Sequence, residues 1–358
     1  MAQVLNYLIL ITLVLLLSSS LVVGDCNCDH ENSTHDDTKL TLKYKLGAIA
    51  AILAASALGV SLPLAGKNFP ALNPNSNLFF LVKTFAAGVI LSTGFIHILP
   101  DAYEDLTNPC LDENPWGKFP FMGLFAMVGA LGSLMIDSFA TGYYRRVHFG
   151  GKKDTLPMID EEMSGDHTGH IHLHTHATHG HAHGPGPGAT PEGLNELDRI
   201  RYKVTSQVLE MGIVVHSVII GISMGTSQSL DTIKPLMAAL CFHQFFEGVG
   251  LGGCIVQAAF KSSSTLCMSV FFSLTTPVGI AVGIGINSIY NDSSPTALIV
   301  QGLLNSVAAG ILIYMALVDL LAQDFMSPKV QNNTKLFFGA NLTLLLGAGF
   351  MAILAIWA

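Results

Sequence analysis

Charged residues are scarce in this chain. Only 12% of its 358 residues are Asp, Glu, Lys or Arg, half are hydrophobic, and the mean hydropathy is +0.51. A soluble domain of this size carries about 25% charged residues, so the scarcity excludes that class. The net charge of −8 gives no reason to expect nucleic-acid binding. The composition predicts a polytopic protein whose surroundings are a lipid bilayer.

Cysteine is sparse as well, and one catalytic motif is missing. Six cysteines in a chain of this length do not make a disulfide scaffold, and the spacing leaves open whether Cys110 pairs with Cys26 or Cys28. No His-Glu-x-x-His string occurs, which removes the motif that a membrane metalloprotease would use to activate water. We therefore expect a protein that is not an enzyme.

The amino terminus has the pattern of a secretory segment. Residues 1–24 contain an apolar run followed by a small-residue cleavage pattern ending at Gly24, which predicts a signal peptide. No Lys or Arg precedes the run, so an additional membrane helix is the alternative. Residues 25–45 are polar and predict an extracellular tail, with a glycosylation sequon at Asn32.

Eight apolar runs follow, each with about the 20 residues that a membrane-spanning helix needs. The predicted fold is an all-α membrane protein with eight transmembrane helices and one long loop. Residues 46–143 hold helices 1–3, residues 144–203 form the loop, and residues 204–358 hold helices 4–8. The runs lie near 46–65, 78–100, 120–143, 204–226, 235–259, 265–289, 296–321 and 336–357.

The distribution of basic residues predicts the orientation. Lys and Arg cluster at both ends of the long loop, which places the loop in the cytosol and both chain termini outside the cell. The second sequon, at Asn291, is then also external. The plasma membrane is the expected location, and the sequence leaves an internal membrane open.

The centre of the long loop is rich in histidine, and Gly and Pro surround it, so we expect it to be disordered without metal. Alternating histidines are typical of metal-binding segments, although a neutral flexible spacer is the alternative. Exposed imidazoles suit buffering or handover of metal better than permeation. The cytosolic loop histidines are His167, His170, His172, His174, His176, His179, His181 and His183.

Three ionisable residues lie about midway along apolar runs. His216 is in the fourth run, and His243 and Glu247, four residues apart and so on one helix face, are in the fifth. A charge at a helix centre in the membrane costs about 2.5–3.5 kcal/mol, so such residues indicate function. Two imidazoles and a carboxylate suit Zn²⁺ or Fe²⁺. Ser217 and Gln244 adjoin this predicted transport site.

Further polar residues predict a path to and from that site. His97 and Asp101 lie on one face at the external end of the second run, if the helix continues past Pro100, and Glu104 follows. Such an acidic mouth concentrates cations, so these residues are the predicted entrance. Asp137, in the inner half of the third run, is a candidate for the exit path, with a hydrogen-bonded structural role as the alternative.

Four glycines follow Glu247: Gly248, Gly250, Gly252 and Gly253. In a transporter such positions permit a bend or the sliding of one helix past another. Tight helix packing is the alternative.

The motifs around these residues resemble the ZRT/IRT-like (ZIP) family of divalent-metal transporters, in particular its plant members. The resemblance covers nearly all of residues 40–358 and includes the His-rich loop between the third and fourth spans. Its most specific parts are His216-Ser217-x-x-Ile220-Gly221, His243-Gln244-x-x-Glu247-Gly248 and Gly94-Phe95-Ile96-His97-Ile98-Leu99-Pro100-Asp101.

The resemblance implies a carrier that brings Zn²⁺, Fe²⁺ or related ions into the cytosol, with Mn²⁺ and Cd²⁺ left open as further cargo. The metal is then the substrate, and no resident cofactor is expected. The family's metal ligands fall on His216, His243 and Glu247. The predicted entrance residues and Asp137 match positions that the family associates with transport and selectivity. Assembly as a homodimer is left open.

The chain departs from the bridged two-metal centre of bacterial relatives, because Ile220, Gln244 and Thr276 stand where those have acids. We therefore expect one principal metal ion. Two other classes of protein share some of these features. A cation-diffusion exporter also has a His-rich loop, but eight spans oppose it. A metal sensor that only anchors its loop has no use for intramembrane ligands.

Overall fold

The computed structural model of the chain describes residues 35–66, 76–149, 191–286 and 294–356. Within these ranges the regular secondary structure is helical and no strand is present. Eight helices are long and apolar enough to cross a membrane. The predicted all-α architecture with eight spans is therefore confirmed.

We number the membrane helices α1 to α8 in chain order. Two of them contain a π-helical segment, Thr93–Ile98 in α2 and Met315–Ala322 in α7. The short helices Gln323–Phe325 and Pro328–Gln331 connect α7 to α8, and a π turn at Glu113–Gly117 precedes α3. The membrane helices are α1 (His35–Ala65), α2 (Asn77–Leu106), α3 (Phe121–Phe149), α4 (Pro191–Thr226), α5 (Leu230–Ala258), α6 (Ser262–Ile286), α7 (Pro295–Ala322) and α8 (Thr334–Leu354).

Several helices are longer than the apolar runs that predicted them. α1 begins at His35 rather than near residue 46, α4 begins at Pro191 rather than near 204, and α3 ends at Phe149 rather than near 143. Helical backbone hydrogen bonds continue wherever propensity allows, whether or not the side chains are apolar. The predicted tail at 25–45 and loop at 144–203 are therefore shortened by helical residues.

The second helix does not stop where its apolar run ends. α2 continues past Pro100 to Leu106, and Pro100 lies in the first turn of the final segment, where its missing N–H is tolerated. The preceding turns are π-helical, and the Thr93 hydroxyl donates a 3.0 Å hydrogen bond to the Val89 carbonyl there. Such π turns occur frequently at functional sites. This one contains His97.

The helices pack as two groups. α1, α4, α5 and α6 form one, which we call bundle A, with α1 packed mainly on α5 and α4 mainly on α6. α2, α3, α7 and α8 form the other, bundle B, in which α2 packs on α8 and α3 on α7. The two bundles meet chiefly where α4 lies against α7 and α5 against α2. Residues at these contacts therefore lie between the bundles.

Within bundle A, glycines let helix backbones touch. A Cβ at Gly59 of α1 would overlap the carbonyl oxygen of Phe245 in α5. In the other direction, Gly248 and Gly252 of α5 lie against the backbone of Val60. α5 is unbroken from Leu230 to Ala258, so two of the four glycines after Glu247 serve tight packing and none marks a break in the helix.

The glycines that face the other bundle meet side chains instead. Gly250 and Gly253 of α5 contact the side chains of Ile90 and Phe79 in α2. Side chains can change rotamer and give way, whereas a backbone contact cannot. The packing is therefore interlocked inside bundle A and more adaptable at its boundary with bundle B.

Replacing Gly59 by valine is expected to destabilise the protein by at least about 1–3 kcal/mol, because the added side chain must displace the α5 backbone. Thermal unfolding of the purified protein in detergent measures this as a lower melting temperature. Gly47→Val in the same helix is the matched control, since nothing lies within 4 Å of a Cβ there. Equal melting temperatures for the two variants would contradict the close approach of α1 and α5.

Candidate metal centre

Three histidines from three helices surround one point in the interior. His97 of α2, His216 of α4 and His243 of α5 are at most 5% exposed. The ring centroids are 6.0 Å apart for His97–His216, 5.8 Å for His97–His243 and 5.9 Å for His216–His243. The imidazoles therefore form a nearly equilateral triangle, which we call the histidine triangle.

The size of this triangle is close to what a single metal ion requires. With Zn–N bonds of about 2 Å, three rings bound to one ion have centroids about 5–5.5 Å apart. The observed triangle is slightly wider, and within the described ranges no group of three His, Cys, Asp or Glu side chains is arranged closely enough to hold a metal ion. The three rings would have to move closer together to bind one ion.

The polar atoms around the triangle lack partners. Leaving a buried polar group without a hydrogen bond costs about 1–3 kcal/mol, so such atoms indicate a ligand or water. Both ring nitrogens of His216 and His243 and Nε2 of His97 are in this state. The same is true of side-chain atoms of Ser92, Ser217, Gln244, Glu247, Thr276 and Asn305.

Glu247 supplies the negative charge. It lies one turn after His243 on the same side of α5, is fully buried, and has both carboxylate oxygens unpaired. A buried carboxylate without a cation is costly in the membrane interior. The donor set of imidazole nitrogens and one carboxylate fits a borderline divalent cation such as Zn²⁺.

The histidine triangle joins the two bundles. His216 and His243 belong to bundle A, whereas His97 comes from the π segment of α2 in bundle B. An ion at this position would therefore touch both halves of the molecule.

His97 lies beside the two predicted histidine ligands, whereas the sequence grouped it with the entrance residues Asp101 and Glu104. α2 continues past Pro100 to Leu106, so two further turns follow His97 along the helix. The sequence could not show this proximity, because it depends on how α2 packs against α4 and α5. The entrance role of His97 stays a prediction.

The other predicted entrance residues lie towards the carboxyl-terminal end of α2. Asp101 is partly buried, Glu104 is exposed, and Asp101 lies within electrostatic range of Glu104 and Asp105. These carboxylates follow the histidine triangle by one to two turns along the same helix. Their role in metal entry stays a prediction.

A second group of polar residues lies at the helix ends opposite to Asp101 and Glu104. Asp137 of α3 lies within electrostatic range of Asp319 in α7, whose carboxylate oxygen is 3.8 Å from a guanidinium nitrogen of Arg201 in α4. Nearby, Lys83 of α2 forms a 2.9 Å ion pair with Asp324. The sequence did not predict these pairs, because their members are far apart along the chain and each alone reads as an ordinary polar helix end.

The three positions where bacterial relatives have acids are buried or partly buried here. Ile220 packs against a hydrophobic cluster that includes Ile280, and Thr276 is fully buried on α6. Gln244 is buried beside His243. The expectation of one principal metal ion stays a prediction.

Several predicted features lie outside the described residues. They are the signal peptide at 1–24, Cys26 and Cys28, the sequons at Asn32 and Asn291, and the loop histidines from His167 to His183.

Residues 42–355 match the family model described as ZIP Zinc transporter. A relative named Zinc transporter 8, from Oryza sativa subsp. japonica, is 52% identical over 343 residues, which cover 88% of this chain and 87% of the relative. Zinc transporter 3 from Arabidopsis thaliana is 49% identical, over 93% of this chain and 90% of the relative. Fe(2+) transport protein 1 from Oryza sativa subsp. japonica is 52% identical, over 90% of this chain and 86% of the relative.

The family match extends across all eight helices and includes every residue of the histidine triangle. The expectation that the protein is a transporter and not an enzyme is confirmed by this match. The chain belongs to the ZIP zinc transporter family.

Proposed function

We propose that this protein imports divalent metal ions, Zn²⁺ or Fe²⁺ or both, into the cytosol by alternating access through one intramembrane site. The site consists of His216, His243 and Glu247, with Ser217 and Gln244 beside them. His97 is a further ligand of the same ion. Mn²⁺ and Cd²⁺ are candidates for additional cargo.

The observation that carries this proposal is the histidine triangle. Three buried imidazoles with unpaired nitrogens have nearly the spacing of ligands to one ion. The unpaired carboxylate of Glu247 lies one turn from His243. Relatives named as zinc transporters and Fe(2+) transport proteins support the choice of cargo.

Entry and exit follow the polar residues of α2 and α3. A hydrated ion collects at Asp101 and Glu104, loses water as it moves inward, and is bound at the centre. It leaves past Asp137 towards the cytosolic loop, where the histidines from His167 to His183 receive it. In this order of steps the carboxylates at the entrance attract the hydrated ion, and the imidazoles at the centre bind the ion after it has lost water.

The position of the site between the bundles supports alternating access. His216 and His243 move with bundle A, whereas His97 stays with bundle B. A displacement of one bundle against the other opens the triangle and weakens the hold on the ion. The contacts between the bundles at Gly250 and Gly253 are made with side chains, which is the kind of boundary that permits such a displacement.

Uptake of radioactive zinc by cells tests the function. Wild type, His216→Ala, Glu247→Ala and a deletion of residues 167–183 are compared at matched surface amounts, with Fe²⁺, Mn²⁺ and Cd²⁺ as competitors. We expect both point variants to abolish influx and the deletion to retain most of it. Net loss of zinc from wild-type cells would favour an exporter, and normal uptake by the point variants would rule out the central site.

We further propose that the protein lies in the plasma membrane with both termini outside. Treatment with a glycosidase should increase the gel mobility of the wild type, and the shift should shrink in Asn32→Gln. An antibody to a tag at the carboxyl terminus should label intact cells. Labelling only after permeabilisation would contradict this orientation or location.

A further inference from the structure

α7 borders the histidine triangle although the sequence assigned it no ligand. It packs on α4 and on the π segment of α2, which carry two of the three histidines. Gly302 of α7 meets Leu106 of α2, and further inward Gly94 of α2 meets the carbonyl of Ala309. Asn305 lies between these two contacts and is therefore at the depth of the π segment.

The side chain of Asn305 adjoins His216. It is only 6% exposed, and its amide lies within interaction range of the His216 imidazole. The amide oxygen nevertheless has no hydrogen bond of good geometry, and neither does either ring nitrogen of His216. Two adjacent buried groups that could satisfy each other are thus slightly misaligned.

No hydrogen bond within its own helix satisfies the side-chain oxygen of Asn305. Ser306, the next residue, satisfies its hydroxyl by donating a 2.6 Å hydrogen bond to the Gly302 carbonyl, as serine commonly does inside a helix. Asn305 leaves its oxygen unpaired in the same turn. A buried amide oxygen without a donor is unfavourable, so the residue needs a partner that faces α7. His216 is that neighbour.

A metal-binding histidine usually donates its second N–H to an acceptor. That bond fixes which nitrogen carries the proton and holds the ring in the orientation that binding requires. A carboxamide oxygen is a neutral acceptor, so it does this without adding a second negative charge to the carboxylate of Glu247.

We propose that Asn305 is a positioning residue for the transport site. Its side-chain oxygen accepts a hydrogen bond from one imidazole N–H of His216 and leaves the other ring nitrogen to bind the metal ion. This inference rests on the proposed function. Asn305 belongs to bundle B and His216 to bundle A, so this bond can form only when the two bundles lie close to their arrangement in this structure. The affinity of the site therefore depends on the transport state.

The test compares Asn305→Leu, which removes the acceptor at similar size, with Asn305→Asp, which keeps an acceptor oxygen. Zinc uptake is measured as a function of zinc concentration in cells, and Zn²⁺ binding is measured on the purified full-length protein. We expect Asn305→Leu to raise the half-saturating and dissociation concentrations about tenfold or more, the range seen when a ligand's orienting partner is lost. Asn305→Asp should lose markedly less affinity than Asn305→Leu, because it keeps the acceptor oxygen although it adds the negative charge that asparagine avoids.

Ser306→Ala is the matched control on the adjacent position, and we expect it to leave both concentrations unchanged. A wild-type affinity in Asn305→Leu, with only the amount of protein reduced, would overturn the inference. An equal loss in Asn305→Leu and Asn305→Asp would also overturn it, because the acceptor would then not matter. If Asn305→Leu does not fold, Asn305→Ala is judged by the same criteria.

These outcomes are separate from failure of the proposed function. If wild-type cells take up zinc and His216→Ala does not, but Asn305→Leu binds zinc normally, only the inference about Asn305 fails. If His216→Ala transports and binds zinc like the wild type, the central site itself is wrong, and the inference fails with it.

Discussion

Replacing His97 by alanine is expected to abolish zinc uptake as completely as replacing His216 or His243. The reason is that His97 completes the histidine triangle, with centroid distances of 6.0 and 5.8 Å to the other two rings. Loss of a group that only orients a ligand costs about 10–100-fold in metal affinity, so loss of a ligand should cost at least about 100-fold.

Equilibrium binding distinguishes this role from an entrance role. Isothermal titration of Zn²⁺ into the purified protein should show the affinity lost in His97→Ala. A residue that only collects ions outside would slow uptake without changing the equilibrium affinity, which is what we expect of Glu104→Gln. Ile96→Ala is the matched control in the same π segment, because Ile96 is 45% exposed and points away from the triangle. An unchanged zinc affinity in His97→Ala would return this residue to the entrance.

Replacing Lys83 by methionine is expected to be the most destabilising single change outside the site. Lys83 is 4% exposed at its side chain and forms a 2.9 Å ion pair with Asp324, which is 16% exposed. Removing one partner of a buried pair leaves the other charge uncompensated, at a cost of about 3–5 kcal/mol. We expect a markedly lower melting temperature in detergent for Lys83→Met.

The double variant Lys83→Met/Asp324→Leu tests the cause. Replacing a buried ion pair by apolar side chains is often neutral or stabilising, so most of the lost stability should return. Lys234→Met is the matched control, because Lys234 is exposed and only lies over the Tyr44 ring at 5.2 Å. A double variant that is less stable than Lys83→Met alone would show that the charge of Asp324 was not the cause.

A second ion pair joins the two bundles. Arg201 of α4 and Asp319 of α7 are 3.8 Å apart at their closest atoms, and the arginine side chain is 33% exposed whereas the aspartate side chain is 1% exposed. Removing Arg201 would leave the buried Asp319 carboxylate without this partner, which is unfavourable. Lys83–Asp324 lies within bundle B, so of these two ion pairs only Arg201–Asp319 would be separated by a displacement of one bundle against the other.

Much of the fold could be predicted from the sequence, because the bilayer imposes a simple rule. A span needs about 20 apolar residues, and each of the eight runs has them. Intramembrane ionisable residues are costly and therefore conspicuous, so His216, His243 and Glu247 stood out without any structure. The basic residues likewise predicted an orientation from charge alone.

Helix ends and residue depth could not be predicted in the same way. Apolar runs mark where the lipid is, not where the hydrogen-bonded backbone stops, so the sequence left open whether α2 continues past Pro100 and did not show that His97 lies beside His216 and His243. The π segment before Pro100 left no readable pattern, since it depends on how α2 packs against α7 and α8.

Contacts between helices were decided only by the tertiary structure. The sequence does not show what Asn305 and Lys83 lie beside, because His216 and Asp324 are distant from them in the chain. The sequence by itself determined the lipid-spanning helices and the residues whose charge must be compensated in lipid. Both follow from the free energy of transferring each side chain from water into lipid. Which helices meet, at what depth, and which polar atoms face one another depends on packing between distant segments, and only the folded arrangement of the two bundles decided it.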